Sequence, residues 1–219
     1  IIIGKGAGRG NPNATHNPEH NVWIGNNAGS SESKTTPVGT VGIGQNALQD
    51  LVAQNELVGI GRHALQKIVG TNSTAVGYEA GRYATGSNNT FVGSEAGKGG
   101  TTSAPYSSGQ NNTAVGYQAM ENFTTGFANV AVGQNALFAD TTGQYNTAVG
   151  NGALFANTTG QANVALSVDS LASSQATNNM ISIGFQAMFS SNHADTAGNI
   201  AIGYTALRMN VKGAQNVAI

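Results

Sequence analysis

The feature that most constrains this chain is a nine-residue phrase that recurs from one end to the other. Its cleanest copy is Asn146-Thr147-Ala148-Val149-Gly150-Asn151-Gly152-Ala153-Leu154. With the central glycine numbered zero, that position falls at Gly4, Gly25, Gly44, Gly61, Gly77, Gly93, Gly116, Gly133, Gly150, Ser167, Gly184 and Gly203, most often 17 residues apart. A fixed period of this length marks a repeat architecture, in which one unit buries its apolar face only by stacking on the next.

Position −3 is Val, Ile or Thr in every copy, from Ile1 and Val22 through Thr147 to Val217. Position −1 is Val or Ile everywhere except Leu166. Stiff β-branched residues two apart share one side of a strand, which is where such side chains pack well. That pair is expected to supply the aliphatic core, with the small residue at −2 (Ala75, Ala114, Ala131, Ala148) leaving the opposite side flat for close approach by another copy. The glycine then turns the chain, as at Gly116, Gly133 and Gly150. Position +3 is nearly always Ala, and +4 is Leu, Met or Gly (Gly8, Gly29, Gly81, Gly97), which brings a second anchor back to the same core.

A helical stripe of period 3.6 does not accommodate this pattern. The expectation is therefore all-β: a parallel β-solenoid of about twelve coils, each adding roughly 4.8 Å, elongated to a rod of roughly 60 Å. Position −4 is usually Asn (Asn112, Asn129, Asn146, Asn163). Stacked coils would set these amides one above another as a hydrogen-bonded ladder that satisfies corner backbone groups.

The repeat runs through all 219 residues, so they read as one elongated unit, a segment of a longer fibre, with polar insertions at 9–20, 30–39 and 98–110. In residues 44–70, short helical turns are expected to stand in for some corners. Only 9% of residues are charged, the net charge is −1, and no Lys or Arg lies between Lys98 and Arg208. Nucleic acid and anionic membrane surfaces both require clustered cations, so neither is expected as a partner. The chain has no Cys, and no apolar run long enough to span a bilayer.

His16-Asn17-Pro18-Glu19-His20 has the H-x-x-E-H spacing of a zinc peptidase, making His16, Glu19 and His20 the metal-ligand candidates. Pro18 opposes the helix that such a site needs, so the reading is a solvated loop with no metal. Gly4-Lys5-Gly6-Ala7-Gly8 looks like a phosphate loop but lacks the Lys-Ser/Thr ending, and its residues are ordinary repeat positions. The carboxylates are scattered singly along the chain with no recurring acid–base spacing. No enzyme activity and no cofactor are expected. Aromatics recur at +1 (Tyr78, Tyr117, Phe185, Tyr204) and at +5 (Phe138, Phe155, Phe189), where they are expected to fill the core or a subunit seam. Trp23, Phe91 and Tyr106 depart from the repeat and are the candidates for a specific ligand contact.

The phrase in Asn129–Leu137 and Asn146–Leu154 resembles the head repeats of trimeric autotransporter adhesins. The stretches Asn112–Met120 and Asn157-Thr158-Thr159-Gly160 are similar to the shaft repeats of bacteriophage tail-fibre proteins. The resemblance implies a left-handed β-roll and a homotrimer. It implies an extracellular setting, on a virion tail fibre or a bacterial surface, and attachment to a host-surface glycan or protein. Two rival expectations stand beside it. A polysaccharide-cleaving spike would show carboxylates clustered on one face of the stack, and a purely mechanical spacer would keep its role with the insertions shortened.

Overall fold

Each copy of the phrase opens with a strand of two or three residues that stops just before its glycine. In the computed structural model, which describes residues 1–9, 20–30, 38–51, 56–191, 197–210 and 212–219, these strands are β1 (Ile2–Ile3), β2 (Val22–Ile24), β3 (Val41–Ile43), β4 (Val58–Ile60), β5 (Thr74–Val76), β6 (Thr90–Val92), β7 (Thr113–Val115), β8 (Val130–Val132), β9 (Thr147–Val149), β10 (Val164–Leu166), β11 (Ile181–Ile183), β12 (Ile200–Ile202) and β13 (Val217–Ala218). They form one 13-stranded sheet in strict chain order. Every neighbouring pair is parallel, and the repeat positions are in register: Val130, Ala131 and Val132 pair with Thr147, Ala148 and Val149. The result is a β-solenoid of about 11 turns with no helix among the described residues, close to the count read from the glycines. The corners of residues 56–70 are turns rather than helix, closed by bonds such as Gln66 N–H to His63 O (3.3 Å).

The two faces of the strand are the reverse of the expectation. Position −2 points in, and the β-branched pair at −3 and −1 points out, so that strands such as Thr74–Val76 and Val164–Leu166 are buried only at their middle residue. The cause is the bore of the coil. Ala75, Ala114, Ala131 and Ala148 at −2 and Ala80, Ala119, Ala136 and Ala153 at +3 are fully buried, with Met120, Leu137 and Leu154 at +4 closing the same core. A single layer of alanine against one leucine fills that interior, and a pair of β-branched side chains per coil has nowhere to go but outside.

Two backbone features make the narrow coil possible. At the zero position φ lies near +130° (Gly133, +131°), and a Cβ on Gly133 would stand 2.6 Å from the Gly150 carbonyl oxygen in the next coil. Both the conformation and the close approach demand glycine there. The following residues then alternate into the left-handed region at +2 and +4, for example Asn135 (φ 56°) and Leu137 (φ 51°). A leucine held so costs roughly 1–2 kcal/mol. Hydrogen bonds between coils offset this, such as Leu137 N–H to Ala153 O (3.0 Å) and Asn135 N–H to Tyr117 O (3.0 Å).

The asparagine ladder is present and buried. Asn112, Asn129, Asn146 and Asn163 are fully inaccessible. The Oδ1 of each accepts the backbone N–H of the same position one coil on: Asn129 N–H to Asn112 Oδ1 (3.0 Å), Asn146 N–H to Asn129 Oδ1 (2.9 Å) and Asn163 N–H to Asn146 Oδ1 (3.0 Å). Each Nδ2 donates to a carbonyl at the following corner, as Asn129 to Gly143 O (2.9 Å) and Asn146 to Gly160 O (2.7 Å). The ladder therefore runs mainly from side chain to backbone and satisfies corner groups that would otherwise be buried unpaired.

Candidate functional site

Of the three aromatic candidates, the structure leaves one at the surface. Trp23 and Phe91 both occupy position −2 and are core residues, 3% and 0% exposed. Neither can meet a ligand from solvent, which corrects the expectation. What makes room for them is glycine at +4. A Cβ on Gly29 would run into the Trp23 indole, and one on Gly81 would stand 2.8 Å from Phe91 Cδ2 and 2.7 Å from Leu65 Cδ2. Gly97 lies under the other edge of the Phe91 ring. Where +4 is large, −2 is small: a Cβ on Gly59 would meet Leu48 Cγ at 3.0 Å. Columns −2 and +4 thus share one fixed volume.

Tyr106, in the 98–110 insertion, is half-buried. The insertion folds back on the stack through a bridge between Ala84 and Ser107 and the bond from Ser107 N–H to Tyr83 O (3.1 Å). Its ring lies on that of Tyr83 with centroids 6.0 Å apart, Arg82 covers Tyr83 at 4.9 Å, and the Lys67 ammonium lies 5.8 Å from the Tyr106 ring. Lys67 in turn pairs with Asp50. Of the metal-ligand candidates, His16 and Glu19 lie outside the described residues, and His20 is an exposed corner residue. Most of insertions 9–20 and 30–39 also lies outside them.

The +1 and +5 aromatics are outside the core. Phe185 and Tyr204 stack at 5.5 Å, and Phe138 and Phe155 stack at 5.1 Å with rings 3° apart. Tyr78, Tyr117, Phe155 and Tyr204 are exposed.

The carboxylates, scattered in sequence, are gathered by the stack. Glu79 and Glu95 are both +2 residues, and Lys98 and Glu121 are both +5 residues, so three successive coils bring them together. Lys98 Nζ lies 3.2 Å from Glu79 Oε2, 3.2 Å from Glu95 Oε1 and 3.6 Å from Glu121 Oε1. Arg82 takes the other oxygen of Glu79 at 2.7 Å, and Gln118 Nε2 donates to Glu95 Oε2 at 2.7 Å. Burial works against the Lys98 charge, but the hydrogen bonds and charges of Glu79 and Glu95 outweigh it and hold the ammonium up to about 12. Burial would likewise raise Glu79, yet hydrogen bonds from Tyr78 and Lys98 and the charge of Arg82 win, leaving its carboxyl below the usual Glu range. Glu121 is pushed up, by burial first and then by the Glu95 charge. The arrangement is a charge clamp across three coils.

The outward face of the sheet runs along all thirteen strands. Its two columns hold Val, Ile or Thr in every coil, apart from the single Leu166, with no charged residue. Val92, Val130, Val149 and Ile202 on it are exposed. No helix among the described residues is long and apolar enough to cross a membrane. Comparison with protein-family models, with curated proteins and with solved structures returns no match.

Proposed function

We propose that this chain is a structural and adhesive segment of an extracellular fibre, of tail-fibre or bacterial surface-adhesin type, that self-associates as a homotrimer and mediates attachment to a cell surface. The observation that carries the reading is the outward sheet face. A strip of valine, isoleucine and threonine two side chains wide follows a stack roughly 60 Å long. At roughly 10 Å across it amounts to on the order of 600 Å², the upper end of what a monomer leaves uncovered. Parallel, in-register copies of the same strip match one another along the whole rod, which is how an isologous or cyclic assembly buries it. The exposed aromatics and the 98–110 insertion around Tyr106 are then the surfaces available to a host glycan or protein. In this reading the chain performs no chemistry. The glutamates that gather on it are held by Lys98 and Arg82, which suits a clamp between coils.

Sedimentation equilibrium tests the assembly. The chain is expected at about three times its 22.1 kDa mass, and Val132→Lys with Val149→Lys is expected as a folded monomer. A monomeric parent at micromolar concentration would overturn it. Incubation with capsular or lipopolysaccharide glycans tests the rest. Surface binding without new reducing ends is expected, and release of reducing ends would replace the adhesive reading with an enzymatic one.

A further inference from the structure

The inner column at +7 changes character along the rod. Leu51 and Ile68 hold it in early coils and Phe123 in a later one, followed by Asp140, Asn157, Ser174 and Ser191, all of them buried. Asp140 is the one acid in that column among the described residues. It is fully inaccessible, in a column whose other described buried polar members, Asn157, Ser174 and Ser191, are neutral.

Its partners are amides. Asn157 Nδ2 donates to Oδ1 at 2.8 Å, and the Gly143 N–H bonds the carboxyl from the corner it closes. The Asn129 amide reaches Oδ2 at 3.4 Å. The groups facing Asp140 are Asn129 and Gly143 from its own coil, Asn157 from the next coil, and the uncharged Gly126 backbone from the preceding one. The charged clamp of Glu79, Glu95, Lys98 and Glu121 belongs to earlier coils, and what acts on the Asp140 carboxyl among the described residues is burial, Asn157 and Gly143. A buried carboxylate without a cation loses its hydration and regains little, so the neutral form is favoured.

We propose that Asp140 is a proton site built into the rod, neutral in mild acid and ionised in mild alkali, and that ionisation loosens the Thr141–Gly143 corner and the coil stacked on it. Desolvation by burial lifts the Asp140 carboxyl to about 7, against the lowering pull of Asn157 and Gly143. The ordinary value, 3.8, holds in the unfolded chain. Between those two values the folded form binds the extra proton, so raising pH favours opening. The effect levels off above the folded value.

The conservative variant Asp140→Asn places at this corner what Asn157 already places at the next one, so the coil has a precedent for it. Hydrogen exchange at the corner is read at pH 5.5 and 8.5 in both proteins, each corrected for intrinsic exchange chemistry. In the parent, protection is expected to fall by roughly thirtyfold over that window, from the stated titration, and in Asp140→Asn to stay level. Equal pH dependence in the two proteins would overturn the proposal. A carbon-13 titration of the Asp140 carboxyl in the parent is the second measurement, independent of how the variant folds. A midpoint near neutrality is expected, and a midpoint in the ordinary Asp range would sink the idea.

Discussion

The shared volume of columns −2 and +4 can be tested by moving bulk from one to the other within a single coil. Phe91 at −2 is fully buried between Gly81 and Gly97, with its ring 5.6 Å from Phe123. Phe91→Ala should cost about 3–5 kcal/mol, the range for emptying a buried aromatic site. Gly97→Leu alone drives a side chain into the Phe91 ring, and overpacking of this kind costs about 1–3 kcal/mol or more. The double variant, however, recreates the Ala131/Leu137 arrangement that the coil of Gly133 already uses. Leucine fits the backbone there, since Gly97 has φ 53° and Leu137 has φ 51°. The left-handed conformation and the lost Phe123 contact leave a residual deficit of about 1–2 kcal/mol. The two single costs therefore should not add, and the coupling energy should be on the order of 4 kcal/mol in favour of the pair. Denaturant midpoints of the four proteins in one double-mutant cycle measure it. If the double variant is as unstable as the sum of the singles, the two columns do not share one space and the account of Trp23 and Phe91 as core residues fails.

Three further outcomes follow from the same geometry. Ser167 is the one described non-glycine at the zero position and holds φ 112°, so Ser167→Gly should raise the unfolding free energy by roughly 1 kcal/mol in denaturant titration; a loss of stability would refute the strain. Asn146→Ala strips a buried acceptor from Asn163 N–H and a donor from Gly160 O, and should cost about 2–4 kcal/mol by chemical denaturation, where a solvated corner amide would cost next to nothing. Lys98→Met leaves Glu79, Glu95 and Glu121 together without their shared cation. Glu79 now titrates low, so its contribution is present at neutral pH and fades as pH falls through its folded value. In the variant the sign reverses: protonation relieves the three carboxylates, and stability should rise as pH drops from 7 toward 4. Parallel pH profiles for the two proteins would refute the clamp.

The period alone made the strands, their parallel order and their register legible, because a β-branched pair ahead of a glycine recurs with so little variation. Which side of the strand faces in was not legible from that pair. A two-residue period shows which side chains share a face and is silent on which face is buried; the answer lies in how much space the coil encloses. That information was in the sequence, in a different comparison. The two interior copies with an aromatic at −2, Trp23 and Phe91, both have glycine at +4, Gly29 and Gly97. Volume conserved across two columns marks them as partners in one interior, and reading Trp23 and Phe91 as departures from the pattern missed the substitution that accompanies each.

The charge clamp and Asp140 show the same lesson from the other direction. Glu79 and Glu95 are 16 residues apart, and Lys98 and Glu121 are 23 apart because the 98–110 insertion falls between them. Along the chain these look unrelated. Written by position in the coil they fall at +2, +2, +5 and +5, side by side on three successive layers. Asp140 likewise looks like an ordinary corner residue in Asp140-Thr141-Thr142-Gly143 until it is placed under Asn157 in the next coil. Burial then converts a one-atom difference between Asp and Asn into a titratable group, since an amide and a carboxylic acid are both neutral there and only the acid can ionise. In a stacked fold the neighbour that sets a residue's chemistry lies one period away, so the unit in which a site can be read is the column.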